Sequence, residues 1–296
     1  MRITVNGENL ALDIKDGDSL GALLAGADNL LDKAGSVIVS MKIDGVEIDA
    51  DGYSLFAERD AGSVESVEIQ AEDAAAIRVR AIETLIELLT IARRSSEDGA
   101  VGDWTALRTG ALDMRDAFAG LFTADELSFV QLFADILERA GDQPDRASRI
   151  EVSAQSDRLS AVFGERLAEL RSPAGEMGRA ATLFEDRASE LADLPVLLQT
   201  GKEDKAMKAI LFFIEIFNKV IRIIPELRRS GVDTAAISVG GLALPDFYRA
   251  FNDVLRELTD AFEHKDTVLI GDLAEYEVLP RMSEFFTAMR KALAES

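Results

Sequence analysis

Few residues in this chain are suited to nucleophilic or metal chemistry. The sequence holds no cysteine and a single histidine, His264, which excludes disulfides, thiolate nucleophiles and zinc–thiolate sites. His264 stands in a predicted turn near a helix C-terminus, where an imidazole interacts favourably with the helix dipole. A catalytic histidine needs a nucleophile or a substrate pocket, and the sequence indicates neither. We therefore expect a structural role for His264.

One stretch imitates a calcium-binding loop. Positions one, three, five, six and twelve of the EF-hand pattern are held by Glu47, Asp49, Asp51, Gly52 and Glu58. A strand and not a helix is predicted before this stretch, and its first position holds Glu instead of Asp. We therefore expect a solvated acidic turn, no metal ion and no other cofactor. Millimolar calcium should not raise the melting temperature, and a rise that Glu58→Gln abolishes would contradict this expectation.

Three carboxylates near the C-terminus, Asp272, Glu275 and Glu277, suggest a metal site within a helical bundle. A ferritin-like di-iron site takes two Glu-x-x-His pairs from facing helices. A chain with one histidine cannot supply them, so the sequence excludes that class of site. No catalytic residue is assigned.

The charge of the chain restricts its partners. It has 54 acidic and 32 basic residues and a net charge of −22, which repels nucleic acid and anionic lipid. We expect a protein partner that is basic or apolar, although an acidic surface that only confers solubility is an alternative. The strongest apolar run, Ile210 to Leu227, contains charges that disfavour a membrane span. The first residues lack a signal-peptide pattern, which indicates a cytoplasmic protein.

The first seventy residues alternate between apolar and polar positions. Asn6-Gly7 and Asp44-Gly45 are suited to tight hairpin turns, and each pair is flanked by strand patterns. A helix capped by Asp18 or Ser19 is predicted from Ser19 to Ala34. A last strand is predicted around Val64, Val67 and Ile69. The predicted order is strand, strand, helix, strand, strand, strand.

This order and length resemble the ubiquitin-like β-grasp fold. The resemblance implies a docking module, because carriers of this fold end in Gly-Gly and this segment continues into Ala71-Glu72-Asp73. The predicted fold class is α+β, with a β-grasp-like module at 1–72 followed by a large all-α bundle at 73–296. A C-terminal helical hairpin is predicted at 245–296.

About seven helices are predicted after residue 73. Capping boxes are predicted at Thr123–Glu126 and Thr200–Glu203, and Pro245 suits the first turn of a helix. The apolar connection from Val232 to Leu244 is interpreted as a hinge or as a loop that folds back on the bundle.

Two apolar stretches are candidates for contact with a partner. The helix at 210–224 is apolar around most of its circumference, which is typical of a central helix but also allows an open groove or a dimer seam. The second stretch is our first choice for a partner-binding seam, with packing in the core as the alternative. Its members are Met282, Phe285, Phe286, Met289 and Leu293.

The sequence favours a non-enzymatic adaptor or scaffold that docks partners through its sheet and an apolar helical groove and that self-associates as a homodimer. One alternative is a cytoplasmic export chaperone for filament or secreted subunits, since the C-terminal hairpin is loosely similar to flagellar chaperones. Another is an enzyme with a site of scattered carboxylates. A deep polar pocket with a carboxylate of strongly shifted pKa would favour the enzyme, and a shallow apolar groove would favour the binding protein.

Overall fold

The computed structural model describes residues 1–11, 17–48, 56–97, 103–117 and 120–295. Contacts divide the chain into two compact units, Met1–Leu167 and Ala168–Ser296. The first unit begins with a small mixed sheet and continues as helices, and the second is helical apart from a short hairpin. The predicted α+β class with a large helical part is confirmed.

The N-terminal sheet has the strand order β2-β1-β5-β3-β4. Its strands are β1 Arg2–Val5, β2 Glu8–Asn9, β3 Ser36–Ile43, β4 Val46–Ile48 and β5 Ser66–Asp73. β1 and β5 are parallel, and the other neighbours are antiparallel. Helix α1, Leu20–Lys33, lies between β2 and β3 in the chain, and its Leu20, Leu24 and Ala27 share a core with apolar residues of the sheet. The sheet and α1 each bury one apolar face, and these two faces pack against each other.

Both predicted hairpin turns are confirmed. Asn6 and Gly7 have φ values of 52° and 85°, and Asp44 and Gly45 have φ values of 49° and 80°. Two successive positive φ values define the tight turn that matches the twist of paired strands. The predicted cap of α1 is also confirmed, since Ser19 Oγ accepts a hydrogen bond from the Ala22 amide. The strand pattern predicted after Asn6-Gly7 includes Leu12 and Ile14, which lie outside the described residues.

Four helices follow the sheet. They are α2 Ala74–Ser95, α3 Trp104–Ala117, α4 Ala124–Ala140 and α5 Arg146–Arg171. The capping box of α4 is confirmed, because Thr123 Oγ1 accepts from the Glu126 amide and Glu126 Oε2 accepts from the Thr123 amide at 2.8 Å. Glu126 also pairs with Arg166 and Arg78 at 3.0 Å and 3.2 Å. This buried carboxylate thus fixes a helix start and joins three helices.

The second unit contains the remaining helices. They are α6 Pro173–Ala192, α7 Leu194–Gln199, α8 Glu203–Arg229, α9 Leu244–Glu263, α10 Thr267–Asp272 and α11 Leu279–Ala294. The capping box predicted at Thr200 is wrong. Thr200 caps the end of α7 and donates its hydroxyl to the Val196 carbonyl at 2.7 Å, so the N-cap of α8 is Lys202. The Thr200 hydroxyl therefore caps the C-terminus of α7, and α8 begins without a side-chain cap.

The connection from Val232 to Leu244 folds back on the second unit. Its strands β6, Ser238–Val239, and β7, Leu242–Ala243, form a hairpin around Gly240 and Gly241. Ile237 and Val239 are buried in the core of this unit. The folded-back alternative is therefore confirmed.

The second arm of the predicted C-terminal hairpin is not a uniform α-helix. A π-helical turn, Leu273–Val278, separates α10 from α11. Pro280 lies in the first turn of α11 and lacks the N–H that would bond back to Tyr276. The regular bond pattern is therefore interrupted where the π turn ends.

The boundary predicted after residue 72 coincides with the end of the sheet, because β5 ends at Asp73 and α2 begins at Ala74. Independent folding of 1–72 stays a prediction. Within the described part of the chain, each helix is either too short or too polar to cross a membrane.

Candidate functional site

Helix α8 is the longest helix of the second unit and has a polar start and a basic end. Glu203 and Asp204 lie in its first turn, and Arg228 and Arg229 lie in its last turn. Acidic residues near a helix N-terminus and basic residues near its C-terminus offset the helix dipole. These charges define the ends of a helix that is mostly apolar between residues 209 and 224.

One face of α8 belongs to the core. Its buried residues recur every three or four positions and include Phe213, Phe217, Val220 and Ile223. Phe217 contacts Phe251 of α9 with the ring centroids 4.8 Å apart. This face alone would suffice for an ordinary amphipathic helix.

The opposite face of α8 is also apolar, and it is exposed. Met207, Leu211, Ile214 and Ile221 retain 40% to 51% of their accessible surface. We call these four residues, together with the exposed Asn218 between them, the α8 stripe. Their spacing of four, three, four and three residues is that of a helix packed along another helix. The stripe is therefore suited to contact with a further helix.

An apolar groove borders the stripe. It is lined by Ile210, Ile214 and Phe217 of α8 and by Leu255 and Leu258 of α9, among others. Its cavity volume is only about 20 Å³, whereas pockets for small molecules measure about 300–1,000 Å³. The groove is thus a shallow seam between two helices, and it suits the side chains of a partner better than a substrate.

The polar rim of the stripe carries three charged residues, two basic and one acidic. Lys208 and Glu215 are exposed, and neither takes part in an ion pair within the described residues. Arg222, two helical turns after Glu215, donates to both carboxylate oxygens of Glu169 at 2.8 Å and 3.2 Å. Two of the three rim charges therefore have no ion-pair partner among the described residues.

Buried ion pairs hold α8 against α6. Glu176 of α6 is almost fully buried and lies 2.8 Å from Lys219 Nζ of α8, and it also accepts from Arg179. Burial opposes ionisation of Glu176, but hydrogen bonds from Arg179 and Lys219 outweigh it, so its pKa lies below the usual value. A carboxylate held ionised by two cations is a structural group and a poor proton acceptor.

The open face of the N-terminal sheet is polar. Thr4, Glu68, Lys42 and Glu47 form one row across β1, β5, β3 and β4. Residues 1–72 hold fifteen acidic and five basic residues. The edge strand β4 exposes Val46. This module therefore offers acidic groups and, within the part of the chain that the structure describes, a strand edge without a pairing strand.

The predicted seam near the C-terminus lies in the core. Met282, Phe285, Phe286 and Met289 are each at most 3% exposed and belong to the core of the second unit, and Leu293 is partly buried against it. A partner reaches these side chains only if the core opens. Partner binding by this group stays a prediction, and the proposals below rest on the α8 stripe.

The other candidates have local explanations. His264 caps the end of α9 and donates from Nδ1 to the Asp260 carbonyl at 2.7 Å, as a structural role requires. Glu277 pairs with Arg281 at 2.7 Å, and the described residues contain no cluster of three potential metal ligands. Most of the imitated calcium loop, including Asp49, Asp51 and Gly52, lies outside the described residues.

Sequence reasoning identified α8 as a helix with too many apolar residues but not its exposed side. The available signal was the spacing of Met207, Leu211, Ile214 and Ile221, which repeats as in a coiled coil.

Two regions of the chain match protein families. Residues 177–288 match a domain of unknown function (DUF8042), and residues 1–72 match the TP0873 N-terminal domain. The first match contains the whole α8 stripe, and the second contains the sheet module through Glu72. Neither a curated protein nor a solved structure matches the chain. The similarity is thus regional and names no activity.

Proposed function

We propose that this protein is a non-enzymatic adaptor or scaffold that binds other proteins through the α8 stripe and the N-terminal sheet module. The observation that supports this most is the exposure of Met207, Leu211, Ile214 and Ile221 along one helix face. Single exposed apolar side chains are common, but a contiguous row with polar borders is typical of an interaction surface. Binding here would follow the helix-in-groove mode.

The electrostatics of the stripe support a protein partner. Helix α8 has six basic and four acidic residues, in a chain whose net charge is −22. The long-range field still repels nucleic acid, while the stripe itself carries local cations beside apolar side chains. Apolar burial then supplies affinity, and the rim charges set orientation.

The N-terminal module is proposed as a β-grasp docking module. The order β2-β1-β5-β3-β4, with α1 between β2 and β3, supports this assignment. Its acidic open face favours a basic partner, and the edge strand β4 offers backbone groups for strand addition. The two surfaces would let one chain hold two partners, which is what an adaptor does.

The experiment is affinity capture of proteins from the cells that produce this chain. Three full-length baits are compared: wild type, Leu211→Glu/Ile214→Glu, and a control with Leu183→Glu/Val268→Glu. The control residues are exposed apolar side chains of the same unit outside the stripe, and both variants add the same charge.

We expect a protein retained by wild type and control and lost with the stripe variant. Equal retention by all three baits would contradict binding through the stripe. Retention of a secreted or filament subunit would favour the export-chaperone alternative.

A further inference from the structure

We infer that the occupant of the α8 stripe is the same stripe of a second copy, packed antiparallel around a two-fold axis. This inference rests on the proposed function only in treating the stripe as a binding surface, and a second copy on the stripe would compete there with any other protein. An interface of this kind is isologous, so each copy presents the same residues to the other.

The spacing of the stripe sets the geometry of such a pair. From Met207 to Ile221 the stripe spans fourteen steps, or about 21 Å at 1.5 Å per residue. With the axis midway between Leu211 and Ile214, Leu211 faces Ile214 of the second copy. Asn218 then faces Met207 of the second copy. A polar residue within an apolar seam lowers stability but selects one register.

The rim charges favour the antiparallel orientation. Lys208 and Glu215 each follow a stripe residue directly, so both lie on the same side of the stripe. Ile210 and Phe217 border its other side and are buried in the core. In an antiparallel pair the two-fold axis is perpendicular to the helix. Only this arrangement brings the charged rim of one copy beside the charged rim of the other. Lys208 then lies near Glu215 of the second copy, and Glu215 lies near its Lys208.

A parallel pair would leave these charges without partners. Each charged rim would lie beside the rim formed by Ile210 and Phe217, which are buried in their own unit. Because Lys208 and Glu215 have no ion pair in the described part of their own chain, antiparallel pairing is the arrangement in which α8 is complementary to itself. This self-complementarity indicates a second copy as the occupant.

The third charge on this rim, Arg222, is already held by Glu169 of its own chain, so it needs no partner from the second copy. Basic residues exceed acidic ones along α8, which offsets part of the repulsion between two acidic chains, and this repulsion is screened within about 8 Å at physiological salt. Four partly exposed apolar side chains per copy make a small interface. We therefore expect a dimer with a dissociation constant in the micromolar range.

The test is sedimentation equilibrium of the full chain with charge variants. Lys208→Glu and Glu215→Lys should each weaken the dimer about tenfold, because each places two like charges together twice per dimer. The doubly substituted Lys208→Glu/Glu215→Lys chain should recover the wild-type constant. An equimolar mixture of the two single variants should form a heterodimer more tightly than either variant pairs with itself. A monomeric wild type at about 100 μM, or single variants that dimerise like wild type, would overturn the inference.

Disulfide cross-linking tests the orientation of the two helices. Because the chain has no native cysteine, only the introduced thiols can react. Two Met207 positions would lie about 16 Å apart along an antiparallel seam, too far for a disulfide, which needs Cα atoms within about 7 Å. We expect Met207→Cys alone not to cross-link, and a mixture of Met207→Cys with Asn218→Cys to do so. Efficient cross-linking of Met207→Cys to itself would show a parallel pair and contradict the proposed geometry.

The outcome also separates this inference from the proposed function. If wild type is monomeric but Leu211→Glu/Ile214→Glu loses a captured protein, the stripe binds a different partner and only the inference fails. If the charge variants behave as expected but capture finds no stripe-dependent protein, the dimer stands and the adaptor function of the stripe fails.

Discussion

Two apolar rows in the second unit occupy opposite environments. The row on α11, with Phe285 and Phe286, lies in the core, where Phe286 packs on Phe184 with ring centroids 5.2 Å apart. The row on α8, with Leu211 and Ile214, lies on the surface. In sequence, the α11 row is the more aromatic of the two, and it was our first choice for a partner-binding seam, ahead of the helix at 210–224.

The difference lies in how many faces of each helix are apolar. Helix α11 has one apolar face, and the core takes it. Helix α8 has two, and packing against α6 and the aromatic cluster with α9 occupies only one of them. The apolar residues that remain exposed are therefore those in excess of what the core can bury, and they are not the most aromatic ones of the chain. The predictions below test this comparison through the free energy of unfolding.

The largest expected effect is that of Phe286→Asp. The change places a charge among buried aromatic rings and leaves a cavity, so it should destabilise the second unit by more than about 4 kcal/mol and abolish cooperative unfolding there. Circular dichroism and thermal melting measure this. Leu293→Asp, at a half-buried position of the same helix, should cost much less. A fully helical Phe286→Asp protein would show that the α11 row is not core.

The sequence predicts features that depend on adjacent residues. The turns at Asn6-Gly7 and Asp44-Gly45 and the capping box at Thr123 follow from local chemistry, and each was predicted correctly. Thr200 was misassigned because α7 ends and α8 begins near it. The sequence does not show which of the two helices its hydroxyl caps. The exposed side of α8 depends on where α6 and α9 pack, which periodicity within one helix does not encode.

The next effect concerns the buried ion pair between α6 and α8. Glu176→Gln removes the charge that pairs with Lys219 and should destabilise the protein by up to about 3 kcal/mol at neutral pH. Because the pKa of Glu176 is lowered in the folded state, its stabilisation is complete above the unfolded pKa and is lost as the pH falls through the folded value. Wild type should therefore lose stability on acidification below about pH 4.5 more steeply than Glu176→Gln. Equal slopes in urea unfolding at several pH values would contradict this role.

A smaller effect is expected at Tyr248, which lies between the core face of α8 and the row on α11. Its ring is within 6.3 Å of both Phe217 of α8 and Phe285 of α11, measured between centroids. Its hydroxyl is buried without a hydrogen-bond partner among the described residues, and burial raises its pKa. Tyr248→Phe should stabilise the protein by about 1 kcal/mol, because it removes an unsatisfied polar group. A loss of stability would indicate that the hydroxyl has a partner, such as an ordered water.

The smallest effect on stability is expected from Leu211→Glu/Ile214→Glu. Both side chains are partly exposed in a single chain, so the unfolding free energy at submicromolar concentration should stay within about 0.5 kcal/mol of wild type. Circular dichroism follows the transition. Loss of helicity in this variant would mean that the stripe is part of the core.

The most direct measurement compares thiol labelling of Leu211→Cys and Phe286→Cys in this otherwise cysteine-free chain. At submicromolar concentration the thiol at position 211 should react at nearly the rate of a free thiol, and the thiol at position 286 should react only as fast as the unit opens. Raising the concentration of each chain above the dissociation constant should slow labelling at position 211 and leave position 286 unchanged. Equal rates at the two positions, or a rate at position 211 that is independent of concentration, would contradict the claim that the α8 stripe is an exposed surface covered by a second copy.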